Sequence, residues 1–294
     1  MPESSRQFSK TRIAPTPSGY LHLGNVLSFA ITAAIAEQTG AKILLRIDDL
    51  DRDRVRKEYV QDIFDTLSFL GIPWHEGPRN FTEYEAEFLQ LHRLPLYNRA
   101  LEQLKQSGQL FACACSRTQA GEIYPGTCRD KNIPFDAKDV RWRLKTDVSQ
   151  EIGIRTLNKG VVKTHIPPVM QDFVVRKKDG YPAYQLASVV DDLYFGVDLV
   201  VRGKDLWDST LAQLYLSSAL RAERFQQTTF YHHSLLAEKD GKKLSKSAGD
   251  TSVRYLRGQG KTPMDICSAI AAMLGYDVPV KDWRQLAGLI SSDH

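Results

Sequence analysis

Residues 12–25 read Arg12-Ile13-Ala14-Pro15-Thr16-Pro17-Ser18-Gly19-Tyr20-Leu21-His22-Leu23-Gly24-Asn25. A strand end at Arg12-Ile13-Ala14 runs into a loop set by Pro15, Pro17 and Gly19. Gly24 then opens a helical run, Asn25 to Thr39, that Gly40 ends. Ala41 to Ile47 is an apolar run of strand length, and Val55 to Leu70 has helical periodicity up to Gly71. Strand, loop, helix and strand in this order predict a β-α-β unit on a parallel sheet, an α/β fold. The helix start offers unpaired backbone N–H groups and a positive dipole end, which suit phosphate. Gly19 and Gly24 let the backbone approach a ligand, and His22 can donate to a phosphoryl oxygen.

Downstream, Tyr84 to Ser107 reads as a helical region that Pro95 breaks in two. From Leu110 to about Tyr194 the pattern changes to short strand-like runs, Val140 to Leu144 and Asp172 to Arg176, with a turn at Lys178-Asp179-Gly180. This reads as a segment inserted into the nucleotide fold. Strand-like Val197 to Val201, helical Leu206 to Leu220 and strand-like Thr229 to Leu236 resume the alternation. Ser252 to His294 looks helical. Between them stands Lys239-Asp240-Gly241-Lys242-Lys243-Leu244-Ser245-Lys246-Ser247. Such a lysine loop places positive charge where a triphosphate would develop negative charge.

The 294 residues are 42% hydrophobic and 25% charged, with a formal net charge of +4, ordinary for a soluble globular chain. The mild basicity tolerates a polyanionic partner without requiring one. Met1 to Lys10 has no apolar signal core, and the most apolar stretch, Val26 to Ala36, is too short to span a bilayer, so a cytoplasmic protein without a membrane partner is expected. Of four cysteines, Cys113, Cys115 and Cys128 lie close together. Three closely spaced thiolates suit a tetrahedral zinc site with the fourth ligand open, His165 and Asp130 being candidates by spacing.

Together the two phosphate-handling motifs resemble the HIGH and KMSKS signatures of class I aminoacyl-tRNA synthetases, with Asn25 and Leu244 at the variant positions. Four stretches narrow the resemblance to the glutamyl-tRNA synthetase subgroup. They are Arg12 to Asn25, Leu45-Arg46-Ile47-Asp48-Asp49-Leu50-Asp51, Tyr181 to Ala187 with Val189-Val190-Asp191-Asp192, and Val201-Arg202-Gly203-Lys204-Asp205-Leu206. The resemblance implies a Rossmann-like catalytic core over residues 1–107 and 196–249. It also implies an inserted zinc-containing acceptor-binding segment over 108–195, and a short helical C-terminal region over 250–294 without an anticodon-binding domain.

The resemblance further implies ATP, with Mg2+, bound by His22, Gly24, Asn25 and Lys246. His22, Lys243 and Lys246 would act in the chemistry. Arg12, Ala14, Thr16, Asp48, Tyr184 and Arg202 would form the pocket for L-glutamate, two guanidinium groups suiting its carboxylates. Tyr124 would complete a structural Zn2+ site with Cys113, Cys115 and Cys128. The family has Arg-Ile-Glu-Asp where this chain has Arg-Ile-Asp-Asp, which withdraws the carboxylate of Asp48 by one methylene. Asp49, Asp51 and Asp53 read as a solvated helix start rather than a metal site.

The chain ends soon after the lysine loop. A catalytic half of this size is similar to a stand-alone paralogue in the family. That paralogue, expected here as a monomer, attaches glutamate to the queuosine base at the wobble position of tRNA(Asp). The alternatives are a truncated or split glutamyl-tRNA synthetase charging the 3′ end, a non-catalytic RNA-binding paralogue, and a nucleotidylyltransferase of similar fold.

Overall fold

The computed structural model describes residues 7–236 and 252–291. Its main elements are β1 (Lys10–Ile13), α1 (Leu23–Thr39), β2 (Lys42–Leu45), α2 (Lys57–Leu70), α3 (Leu94–Gln106), β3 (Leu110–Cys113), β4 (Arg141–Leu144), β5 (Ile152–Thr156), β6 (Gly160–Thr164), β7 (Val174–Arg176), α4 (Tyr184–Phe195), β8 (Leu199–Gly203), α5 (Trp207–Ala219), β9 (Thr229–His233), α6 (Val253–Gly258), α7 (Pro263–Met273) and α8 (Trp283–Ser291). They form two compact units. One comprises Met1–His92, Leu199–Lys204 and His232–His294; the other comprises Arg93–Asp198 and Asp205–Tyr231. No helix among the described residues is long and apolar enough to cross a membrane.

The first unit is built on the expected β-α-β. β1 and β2 pair in parallel, Arg12 opposite Leu44, with α1 as the crossover. Gly40 ends α1 in the left-handed region at φ 75°, and Gly71 ends α2 at φ 64°. Pairing continues past the strands: the Arg46 N–H donates to the Ile13 carbonyl (2.9 Å) and the Asp48 N–H to that of Pro15 (3.0 Å). The loops that follow β1 and β2 are therefore zipped together. Gly77, at φ 96°, packs so tightly on Leu45 that a Cβ would lie 2.1 Å from its carbonyl oxygen, and only glycine fits. Trp283 of α8 is buried and donates to the Gly71 carbonyl (2.9 Å), tying the C-terminal helices to the end of α2.

The second unit holds the antiparallel sheet β3-β4-β7 and the hairpin β5-β6, with β5 parallel to β9. Arg93 donates to Asp191 at 2.7 and 3.2 Å and Tyr97 donates to the same carboxylate at 2.7 Å, a buried network that locks α4. Burial of a charge is tolerable only when it is paired in this way.

Three features depart from the sequence reading. Pro95 opens α3 in its first turn instead of breaking a helix, because its missing N–H is one the first turn leaves unbonded anyway; the break falls at Leu89. The strand expected at Val197 to Val201 runs two residues later. Residues 152–164 form a hairpin that the sequence pattern had not suggested.

Candidate functional site

His22 caps α1. Its Nδ1 accepts the Gly24 N–H (3.2 Å), and its own N–H donates to Asn25 Oδ1 (3.0 Å), a reciprocal capping box. Acceptance at Nδ1 leaves the proton of the neutral ring on Nε2. A Cβ on Gly24 would stand 3.1 Å from His22 Cε1, so glycine here is what lets the imidazole fold over the helix start. Asn25 serves the same cap. Leu21, just before, is clamped from two sides: its N–H donates to buried Asp62 (2.9 Å), and its carbonyl accepts the Val253 N–H (2.8 Å). Burial raises the Asp62 carboxyl above its ordinary value, ahead of the opposing pull of the Leu21 hydrogen bond. Ser252 pairs with His22 in an isolated antiparallel bridge. Lys243 and Lys246 lie outside the described residues.

The pocket residues expected from sequence are mostly in the same unit. Arg12 (7% exposed) stands in β1 and donates to the Val201 carbonyl of β8 (3.1 Å); Arg202 (4% exposed) is the next residue of β8. Ala14 and Thr16 lie on the loop after β1, the former half-buried and the latter exposed. Asp48 lies in the loop zipped to it. Tyr184 belongs to the other unit, where it starts α4 and is exposed.

The sequence reading missed two neighbours of this pocket. Arg46 grips Asp48 through Nε to Oδ1 (2.7 Å) and Nη2 to Oδ2 (3.1 Å), both side chains buried. The two stand at i and i+2 of extended chain, a spacing that puts side chains on one side. His232, near the end of β9, is the second. Burial drives its pKa down to about 3, helped by the charges of Arg202, His233 and Arg12. The imidazole is thus neutral beside two buried guanidinium groups, a setting suited to an anionic ligand.

Asp49 corrects the expectation of a solvated helix start. It is fully buried and accepts from the Tyr84 hydroxyl (2.8 Å), the Gln90 N–H (3.0 Å) and Arg52 (2.5 Å). It holds the loop that carries Asp48. Asp51 instead pairs with Arg54 at the surface.

In the second unit the sulfurs of Cys113, Cys115 and Cys128 lie within 4.8 Å of one another, the only such metal-type group among the described residues. His165 and Asp130 do not join it. The Cys115 and Cys128 sulfurs are 3.5 Å apart, and no disulfide forms. Tetrahedral zinc at about 2.3 Å from each sulfur puts sulfurs about 3.8 Å apart, so this donor set fits zinc. The Tyr124 oxygen accepts the Cys128 N–H (2.8 Å) and sits against Cys113. Burial and Cys113 push the Tyr124 phenol up. Burial also raises the Cys113 thiol, but Tyr124, the Cys115 N–H and Arg143 outweigh it and bring it to about 7. Arg143 lies 3.7 Å over the Tyr124 ring, a contact the sequence reading did not foresee.

The model of the catalytic domain of class I tRNA synthetases (E and Q) matches residues 9–124 and 127–287. Curated proteins named glutamyl-Q tRNA(Asp) synthetase are similar over most of the chain. That of Parasynechococcus marenigrum is 37% identical over 273 residues, covering 91% of this chain and 84% of that protein. That of Nitratidesulfovibrio vulgaris is 33% identical over 300 residues, covering 96% and 91%. Among solved structures, glutamate-tRNA synthetase from Elizabethkingia anophelis has a TM-score of 0.75 at 22% identity, covering 96% of this chain and 65% of that one. A glutamate tRNA ligase from Elizabethkingia meningosepticum has a TM-score of 0.67 at 24% identity. It matches 82% of this chain, which spans about half of its length (52%). These two likenesses are of fold.

Proposed function

Because the chain belongs to the family of class I catalytic domains of the glutamyl- and glutaminyl-tRNA synthetases, we propose that it activates L-glutamate with ATP as glutamyl-adenylate and transfers the glutamyl group to the queuosine base of tRNA(Asp). The observation that carries this reading is 33–37% identity, along most of the chain, to proteins bearing that name.

In this reading a carboxylate oxygen of glutamate attacks the α-phosphorus of ATP, and pyrophosphate leaves with Mg2+. The chain positions groups and neutralises charge; no covalent enzyme intermediate is needed. The Nε2–H of His22 donates to phosphate oxygens at the α1 N-terminus, beside Gly24 and Asn25. Lys246, with Lys243, stabilises the leaving pyrophosphate. Arg12 and Arg202 hold substrate carboxylate, Asp48 receives the ammonium, and Ala14 and Thr16 complete the pocket in the first unit; Tyr184 is a further substrate-binding residue. An acceptor hydroxyl on the queuosine base then attacks the adenylate carbonyl, and AMP leaves. Cys113, Cys115, Cys128 and Tyr124 hold one structural zinc, which fixes the fold around β3. The protein acts as a cytoplasmic monomer.

A second reading, charging of the 3′ end of tRNA(Glu), is favoured by the fold shared with whole glutamate-tRNA synthetases. Pyrophosphate exchange without tRNA, comparing glutamate, aspartate and glutamine, tests the activation step. Exchange with glutamate alone, lost in Lys246→Ala, supports the proposal; no exchange with any amino acid refutes it and favours a non-catalytic RNA-binding chain.

A further inference from the structure

The unit formed by Arg93–Asp198 and Asp205–Tyr231 carries a polar cleft of about 430 Å³ that the activation chemistry does not use. Arg129, Lys145, Asp147, Tyr215, Ser218 and Arg221 are among the residues that line it. Not all of its charge is spent internally. Arg129 is committed to Asp172 (2.5 Å) and to the Thr146 carbonyl (3.0 Å). The Asp147 carboxylate is turned onto Ser149, accepting its N–H (2.9 Å) and its hydroxyl (2.7 Å). Among the described residues, Lys145 and Arg221 have no ion-pair partner. Two cations without an ion-pair partner among the described residues therefore line one concavity, with the Asp147 carboxylate as its one anion not held in an ion pair.

Neutral donors join them. The Tyr215 oxygen accepts the Asp147 N–H (2.7 Å), which leaves its own proton to donate. Burial raises the Tyr215 phenol, so that proton stays on. Arg221 comes just after Leu220, the residue that caps α5, and sits in the left-handed region at φ 53°, the helix-ending position that favours glycine. A long cationic side chain is kept there against backbone preference.

We propose that this cleft binds a phosphate group, held by Lys145 and Arg221 with the Tyr215 hydroxyl as third donor. Tetrahedral phosphate offers oxygens to donors from several directions, which a planar carboxylate does not. The phosphate is either a backbone phosphodiester of bound RNA or free inorganic phosphate. Only the RNA source rests on the function proposed above.

The test uses the full chain with Lys145→Gln and Arg221→Gly. Three quantities are read: tRNA affinity over a salt series, the melting shift with inorganic phosphate against chloride at matched ionic strength, and glutamate-dependent pyrophosphate exchange without tRNA. Arg221→Gly should melt at or above the parent, since glycine relieves the left-handed strain, so weaker binding cannot be blamed on unfolding. If the ligand is RNA, each variant binds tRNA about tenfold more weakly. The slope of log affinity against log salt then becomes shallower by about one. If the ligand is free phosphate, tRNA binding is unchanged, and the phosphate-specific rise in melting temperature seen in the parent disappears in both variants. Parental tRNA affinity and salt slope, with no phosphate-specific rise in the parent, overturn the proposal. Absence of pyrophosphate exchange in the parent counts against the proposed function and leaves the binding readouts to decide the cleft.

Discussion

Arg46 closes on Asp48 with two hydrogen bonds inside the first unit, the guanidinium almost fully buried and the carboxylate nearly so. The shorter side chain at position 48 is thus anchored to a buried cation. Removing one member of such a pair strands the other, at about 3–5 kcal/mol. Asp48→Ala should lower stability by that order in urea unfolding, and Arg46→Met with Asp48→Ala together should lose much less. A single variant as stable as the parent would show that the pair is not formed.

The cap at α1 separates structure from chemistry. His22→Asn keeps a good N-cap side chain but removes the Nε2–H. It should leave the melting temperature within a few degrees and slow pyrophosphate exchange at least tenfold, a loss of about 1.4 kcal/mol or more in transition-state binding. Gly24→Ala should act likewise by pushing the imidazole aside, since its Cβ would stand 3.1 Å from the ring. Parental exchange rates in both would remove His22 from the reaction.

The β-α-β core, its glycine stops and the cysteine cluster were legible because they depend on local signals: apolar periodicity, Gly40 and Gly71 just past helix ends, and close cysteine spacing. The β5-β6 hairpin was not, because only Ile152, Ile154 and Thr156 alternate into the core and β6 is half-exposed or exposed throughout. Asp49 misled for a different reason. Its neighbours Asp51 and Asp53 suggest a solvated acidic turn, but its partners Tyr84 and Gln90 lie far along the chain, and only tertiary packing brings them to it. Fold therefore read more easily than site.

For the cysteine cluster, metal analysis of the purified chain should find about one zinc per molecule. Cys115→Ser should lower that content and the melting temperature together, as a structural zinc adds directly to folding free energy. Content well below one in the parent, with unchanged melting after chelation, would reduce the cluster to three buried thiols.

His232 gives the acid limb a sign. Its folded pKa is near 3 against an ordinary 6.5. Below pH 6.5 the unfolded chain takes up a proton that the folded chain refuses, so stability falls as pH drops from 6.5 towards 3. The slope from this one group approaches about 1.4 kcal/mol per pH unit. His232→Asn should flatten that part of the stability profile while leaving pH 7 to 8 unaffected. An unchanged profile would show that His232 titrates normally.

The most direct test of the central claim is where labelled glutamate goes. The chain, ATP, Mg2+ and [14C]glutamate are incubated with tRNA(Asp) containing queuosine, the same tRNA lacking it, and tRNA(Glu), and nuclease fragments are mapped. The account predicts label only on queuosine-containing tRNA(Asp), in the anticodon-loop fragment and retained when the 3′-terminal adenosine is removed. Label on tRNA(Glu) that is lost with its 3′-terminal adenosine would contradict it.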